Sequence, residues 1–276
     1  MESFYDTDKL IDLALKEDLG DAGDVTSASI FSDEQTSFKL ISKDRGILCG
    51  TEVFARVMAR VDSRISVKWN FGDGDAISPG NTVAEISGKV ISILKAERTA
   101  LNFLSLLSSV STKAAAFTKE AGGRLIVLDT RKTIPGMREL QKYAVRCGGG
   151  SNHRMGLYDM VMIKDNHIDA AGGITAAVKK VREKWGKRFI IEVETRDLNE
   201  VKEALSSDVD RIMLDNMDEK EMAAAVNLIN GACESEASGN ITLGRIKHLK
   251  STGVTYISSG ELTNSLKAFD FSLRKK

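Results

Sequence analysis

An α/β chain in two parts, an N-terminal α+β sandwich domain followed by a TIM-like parallel α/β barrel, is the fold that three features of the 276-residue sequence predict. From Leu125 onward, short apolar runs alternate with amphipathic helical stretches, the rhythm of a parallel sheet with right-handed crossovers. Before that point the runs alternate apolar with polar residues and are broken by Gly, Asp, Pro and Asn, which suits a small sheet with helices on one face. A long helical stretch at about 95–121, with Leu101, Leu104, Leu107 and Val110 as its apolar ladder, joins the two. The first domain is placed at 1–110 and the barrel at 111–264, with the tail 265–276 returning to the first domain.

In chain order, Leu10, Ile11, Leu13, Ala14 and Leu15 recur at helical spacing and stop at Gly20. Asp21 to Thr26 is turn-like, 36–49 alternates as strands, 53–61 reads as a helix and 65–70 as a strand. Gly72-Asp73-Gly74-Asp75 and Pro79-Gly80-Asn81 are turn signals. The hairpin pattern around them resembles biotinyl and lipoyl carrier domains, but Lys89 lacks the flanking residues of a carrier tip, so a small sheet is the simpler reading. Beyond Leu125, strands are expected at 125–128, 160–163, 189–193, 210–214, 233–237 and 254–257. Helices are expected at about 136–146, 172–185, 197–206, 218–230 and 242–251. That is six strands where a complete barrel of this type has eight.

Composition narrows the function classes. Basic and acidic residues balance at 39 each, so no broad electrostatic footprint for nucleic acid exists. No apolar run is long enough to span a membrane. The N-terminus, MESFYDTDKLIDLALKEDLG, is acidic and amphipathic rather than leader-like. Cys49, Cys147 and Cys233 form no CxxC motif and no even-numbered framework, which points to a reducing, cytoplasmic setting.

The chemistry gathers at strand ends. Arg131 and Lys132 follow the first barrel strand, Lys164 the second, Glu194 ends the third and Asp215 the fourth. Ser238-Gly239-Asn240 follow the fifth and Ser258-Ser259-Gly260 the sixth. All fall on the C-terminal rim, where barrels place their active sites and where Ser/Gly loops present N–H groups to a phosphate. Between Asp129 and Asp165 there are seven Lys or Arg against four acids, a local basic excess suited to carboxylates or phosphates. Taken singly, a solvated basic face or a plain turn explains each of these as well. Glu192 and Glu194 share one strand face. With Asp215 they suit acid/base work, partnership with lysines, or Mg²⁺, which takes hard oxygen ligands and keeps several waters. Glu192 reads best as an internal ion pair. His153, His167 and Asp165 match no common zinc spacing, and His153 beside Arg154 reads as a contact for a substrate carboxylate.

The stretch DTRKT-IPG-MRELQKYAVRCGGG-SNHRMGLYD-MVMIKDNHI resembles the signature region of the quinolinate phosphoribosyltransferase family. Further blocks agree in order: EDLGDAGDVTS from Glu17, ERTALNFL from Glu97, IEVE from Ile191, IMLDNM from Ile212, SEASGNI from Ser235 and TGVTYISSGELTNS from Thr252. The resemblance implies an incomplete barrel of seven strands, so that one short strand lies hidden in 136–160. It implies transfer of phosphoribose from phosphoribosyl pyrophosphate to quinolinate with decarboxylation, giving nicotinate mononucleotide, pyrophosphate and CO₂ in NAD synthesis.

It also implies roles for individual residues. Lys132, Lys164, Glu194 and Asp215 would be catalytic, with Glu194 and Asp215 holding Mg²⁺. Arg131, His153 and Arg154 would hold quinolinate, joined by Arg98 from the second subunit of a homodimer. Ser238, Gly239, Asn240, Ser259 and Gly260 would take the phosphate. Thr195, Arg196, Glu261 and Asn264 depart from the family pattern. A related phosphoribosyltransferase acting on a different aromatic acid, and a non-catalytic anion-binding barrel, are the competing readings.

Overall fold

The structure, a computed structural model, describes residues 7–276. The first residues of the acidic N-terminus, Met1–Asp6, lie outside the described residues. Packing divides the chain into two compact units. The first contains residues up to Ala115 with Pro135–Gly148 and Leu266–Lys276; the second contains Ala116–Ile134 and Gly149–Ser265. The chain thus passes between the units more than once, and by packing the segment 135–148 groups with the first unit.

In the first unit, α1 (Thr7–Leu19) buries Ile11 and Leu15, one turn apart. The turn-like segment after it leads into a short helix, α2 (Val25–Ile30), whose first turn is capped by Asp24 accepting the Ser27 N–H at 2.9 Å. β1 (Gln35–Ser42) buries Phe38, Leu40 and Ser42 on alternate positions. Next come β2 (Gly46–Ile47), α3 (Thr51–Val61), β3 (Ser66–Trp69), β4 (Ala76–Ile77) and β5 (Thr82–Lys89). α4 (Val90–Ala121) starts directly from β5, five residues before the expected start, and its ladder of Leu101, Leu104, Leu107 and Val110 is buried.

Beyond α4 lie β6 (Ile126–Leu128), α5 (Arg138–Cys147), β7 (Val161–Ile163), α6 (Asp165–Ala171), α7 (Ile174–Trp185) and β8 (Ile191–Thr195). The chain ends with α8 (Leu198–Leu205), β9 (Arg211–Asp215), α9 (Glu219–Ile229), β10 (Glu234–Ser238), α10 (Leu243–Leu249), β11 (Tyr256–Ser258), α11 (Glu261–Asn264) and β12 (Phe271–Lys275). β12 pairs antiparallel with β1, completing a sheet of order β12-β1-β5-β3 in the first unit.

The second unit is built on parallel strands in the order β6-β11-β10-β9-β8-β7. A seventh position lies beside β6: Ser151 donates its N–H to the Val127 carbonyl at 2.8 Å and accepts the Asp129 N–H at 3.2 Å. This is the short strand expected within 136–160, reduced to a single bridge. Among the described residues no pairing joins Ser151 to β7, so the ring of strands is open there. Val127, Leu128, Ile163, Ile191, Val193, Ile212, Leu214, Ala237 and Ile257 are buried, as strands covered on both faces require. No described helix is long and apolar enough to cross a membrane.

Candidate active site

A cavity of about 770 Å³ opens at the C-terminal ends of these strands. Arg131, Lys132, His153, Arg154, Lys164, Glu194, Asp215, Ser238, Gly239, Asn240, Ser259 and Gly260 all line it. Of the seven basic residues between Asp129 and Asp165, four are there: Arg131, Lys132, Arg154 and Lys164. Arg138, Lys142 and Arg146 are on α5 in the first unit, where Lys142 is fully buried. Arg98 is on α4, also in the first unit.

Each strand end presents its side chain differently. Lys164 precedes α6 and donates through Nζ to Glu194 Oε2 at 2.8 Å, while its backbone N–H is taken by His167 Nδ1 at 3.0 Å. His167 thus caps α6. Arg154 has its charged form disfavoured by burial first and by the nearby Arg131 second. Two guanidiniums that repel one another at a cavity wall form a site that an anion relieves. Gly239 has φ +90°, and a Cβ there would stand 2.2 Å from Asn216 Oδ1, so the loop after β10 runs backbone-first past the loop after β9. Gly260 gives similar clearance to Lys132, whose Cδ would be 2.8 Å from an added Cβ.

Beneath the rim, His153 Nε2 lies 3.0 Å from Glu192 Oε2 and 3.4 Å from Glu236 Oε2, and Arg211 Nη1 lies 3.5 Å from the same Glu236 oxygen. Glu192 is thus an internal ion-pair member. Burial opposes the charge on His153, but the two carboxylates outweigh it and raise its pKa to about 9. Burial, partly offset by His153, lifts Glu192 to about 7, whereas Glu236 is held below the ordinary carboxylate value because His153 and Arg211 overcome its burial. His153 Nδ1 accepts the Arg154 N–H at 2.7 Å. Nδ1 is thus taken by the backbone, and Nε2 faces the two buried carboxylates at ion-pair distance without a well-aligned hydrogen bond, which makes His153 a support for the cavity wall as much as a direct ligand.

Three supports escape sequence reasoning. Fully buried Asp129 accepts the His153 N–H at 2.9 Å and an Asn152 side-chain N–H, fixing the turn that carries His153 and Arg154. Arg245 donates to the carbonyls of Gly239 and Met217, each at 2.7 Å, and so clamps the two rim loops together. Thr263 Oγ1 donates to the Lys132 carbonyl at 2.8 Å. Their partners are distant in sequence, and no local pattern announces them.

The family model described as "Quinolinate phosphoribosyl transferase, C-terminal domain" matches residues 110–274, and that of the N-terminal domain matches residues 24–108. The chain belongs to the quinolinate phosphoribosyltransferase family. Within this family it is 44% identical to "Quinolinate phosphoribosyltransferase (decarboxylating) 1b" of Nicotiana tabacum, covering 98% of this chain and 82% of that one. It is 40% identical to the "Probable nicotinate-nucleotide pyrophosphorylase (carboxylating)" of Bacillus subtilis, over 96% and 92% of the two chains. The crystal structure of NadC from Streptococcus pyogenes superposes with a TM-score of 0.95 at 40% identity, covering 100% of this chain and 99% of that one.

The four departures from the family pattern now have places. Thr195 is buried and donates to the Met213 carbonyl at 2.9 Å; Arg196 pairs with Glu200 at the start of α8. Glu261 and Asn264 line the cavity itself, beside the loop after β11.

Proposed function

We propose that the chain transfers phosphoribose from phosphoribosyl pyrophosphate to the ring nitrogen of quinolinate and releases CO₂, yielding nicotinate mononucleotide and pyrophosphate. The observation that carries this reading is the convergence of Arg131, Lys132, Arg154 and Lys164 with Glu194 and Asp215 in one cavity. Quinolinate brings two carboxylates and the co-substrate a phosphate and a pyrophosphate, so a fixed set of cations is what the reactants require. A pure anion binder has no need of two carboxylates on the same wall.

In this reading Arg131 and Arg154 hold the acceptor's carboxylates, with His153 bracing Arg154 from beneath. Backbone N–H groups around Ser238-Gly239-Asn240 and at Gly260 hold the 5′-phosphate, while Ser259, whose N–H and hydroxyl go to the Leu128 and Ile241 carbonyls, shapes that loop; this fixes the ribose carbon within reach of the pyridine nitrogen. Lys132 and Lys164 sit where negative charge grows on the departing pyrophosphate. The Lys164 to Glu194 hydrogen bond keeps that ammonium oriented before substrate enters. As the C1–O bond breaks, the ribose takes oxocarbenium character, which the nearby carboxylates stabilise. Once the ring nitrogen is ribosylated, its positive charge stabilises the carbanion left as the C2 carboxylate departs as CO₂, and that carbon then takes a proton from water, so no separate decarboxylation cofactor is needed.

Glu194 and Asp215 both line the cavity and are partly solvent-accessible, a pair of hard oxygen donors that fits Mg²⁺ shared with substrate phosphates and water. Bound there, Mg²⁺ would supply charge neutralisation for the pyrophosphate. We further infer a homodimer in which Arg98 of one copy serves the site of the other, and a cytoplasmic location. An inactive Arg98→Ala protein mixed with an inactive Lys164→Ala protein regains activity if sites are shared; no recovery after confirmed subunit exchange rejects sharing.

The decisive experiment uses quinolinate labelled in its C2 carboxylate. Release of labelled CO₂ that needs both phosphoribosyl pyrophosphate and Mg²⁺ is the expected result. No release from folded protein, with turnover of another aromatic acid instead, rejects quinolinate as the acceptor.

A further inference from the structure

Two cysteines that the proposed reaction leaves unused, Cys49 and Cys147, face each other inside the first unit. Cys49 follows β2, and its backbone is anchored to α4: its N–H donates to Ser108 Oγ at 3.1 Å, and that hydroxyl lies 3.2 Å from its carbonyl. Just before it, Ile47 donates to Thr112 Oγ1 at 2.9 Å and accepts from Ser111 Oγ at 2.7 Å. Cys147 is the last residue of α5. Its neighbour Gly148 runs so close to α4 that a Cβ would stand 2.3 Å from the Ser111 carbonyl and 2.7 Å from Ala114 Cβ. Ser108 and Ser111 share one face of α4, so a single helix acts as the template that brings the two cysteines together.

The two Sγ atoms and a carboxylate oxygen of Asp73 all lie within 4.8 Å of one another. Asp73 is already committed. Its Oδ1 accepts the N–H groups of Gly50 and Thr51, each at 3.0 Å, and so caps α3; its Oδ2 accepts the Tyr143 hydroxyl at 2.9 Å. Those bonds saturate Oδ1 and take one lone pair of Oδ2, so the carboxylate serves the loop first and the two sulfurs are the groups of the cluster without a structural duty of that kind. The thiols are also unequal. Cys49 is fully buried, and burial pushes its pKa up. Cys147 is partly exposed, and hydrogen bonding from Cys49 draws its pKa down, against burial and the nearby Asp73 charge, with Arg146 acting in the same direction as Cys49. The accessible, more acidic thiol is the natural attacking group and the buried one the resolving group.

We propose that Cys49 and Cys147 form a peroxide-sensitive dithiol that closes reversibly into an internal disulfide. In the first step the Cys147 thiolate attacks one oxygen of hydrogen peroxide. An S–O bond forms, the O–O bond breaks, and the departing hydroxide takes up a proton to become water. In the second step the Cys49 sulfur attacks the Cys147 sulfur. The S–S bond forms, the S–O bond breaks, and a second water leaves with the Cys49 proton. The two thiols lose two electrons and two protons, which the peroxide gains, and a small dithiol restores them by exchange. The sulfurs must close from within 4.8 Å to a bond of about 2.05 Å, so a local shift at one end accompanies the reaction.

The test takes the full-length protein, reduced and freed of reductant, titrates it with hydrogen peroxide, alkylates it and digests it without reduction for mass spectrometry. The expected product is the Cys49 peptide joined to the Cys147 peptide, with an intact mass lower by two hydrogens and full reversal by dithiothreitol. Cys147→Ser and Cys49→Ser each abolish the crosslink, and the Cys49→Ser protein accumulates sulfinic acid at Cys147. Sulfinic acid at Cys147 of the unaltered protein without a crosslink overturns the proposal. So does oxidation of Cys233 ahead of the pair, or zinc that co-purifies and is released by Cys147→Ser. Cys49 is buried and its variant can fail to fold; Cys147→Ser, at a partly exposed helix end, then carries the comparison. Because the readout is a peptide mass, the result stands apart from which acid the chain ribosylates.

Discussion

Two clusters of acids and cations share the strands of the second unit, two residues apart along β8, and serve opposite ends. At the rim, Glu194 meets Lys164 with the lysine side chain 43% exposed. Two positions earlier, Glu192 is fully buried against His153, with Glu236 and Arg211 completing the group. Residue type does not separate them, since each is built from carboxylates and cations. Depth does: the rim pair keeps water, gains little stability from its own attraction and remains available to substrate, whereas the interior group must be neutralised internally because unpaired charge there is intolerable. The rim is therefore expected to fail in catalysis when altered and the interior in stability.

The largest expected effect is at the rim. Lys164→Ala lowers kcat/KM by about 10³-fold while the folding free energy changes by no more than about 1 kcal/mol. Steady-state kinetics beside urea unfolding check this, and full turnover in a folded Lys164→Ala protein breaks the assignment. The interior substitution is next. Glu236→Ala removes one of the two carboxylates that balance His153 and Arg211 and lowers stability by about 3 kcal/mol, measured as the urea midpoint at constant slope. If both variants unfold at the same midpoint, the contrast between rim and interior is wrong. A smaller effect is expected where the rim is held by backbone alone. In Gly239→Ala the new Cβ meets Asn216 Oδ1 at 2.2 Å and the Asn216 backbone nitrogen at 3.0 Å from a φ of +90°. The loop must shift, and KM for phosphoribosyl pyrophosphate rises roughly 10-fold with less change in kcat.

The same contrast marks where the sequence is legible. Strands buried on both faces read as short apolar runs, and β6 to β11 fall within about two residues of their expected limits. α2, α6 and α11, helices of six, seven and four residues, have no counterpart among the helices expected from sequence, whereas α10, also of seven residues, does. α5 belongs to the first unit, where Gly148 packs at Ser111 and Tyr143 bonds Asp73, contacts between residues far apart in the chain. Period-two alternation puts Glu192 and Glu194 on one face, yet it says nothing of depth, which decides that one is structural and the other lines the cavity. The basic excess of 129–165 was legible as composition, but only the tertiary fold divides it into cavity residues and α5 residues. Arg245 and Thr263 support the site through main-chain carbonyls, and main-chain acceptors leave no signature in sequence.

The smallest effect sharpens the comparison through pH. His153 has its folded pKa raised from an ordinary 6.5 to about 9 by Glu192 and Glu236 acting against burial. A group whose folded pKa lies above its unfolded value binds its proton more tightly when folded, so its contribution is complete below about 6.5 and is lost as pH rises through about 9. The urea midpoint should accordingly fall across that interval, and the fall should be shallower in His153→Gln. The size stays below what that shift alone would give, because the Arg154 N–H points at Nδ1 from 2.7 Å and opposes a second proton on the ring. An identical slope in the two proteins would mean that the interior cluster does not hold the imidazole charged. Its carboxylates would then orient a neutral ring through Nε2 alone, and the stability lost in Glu236→Ala would have to come from Arg211.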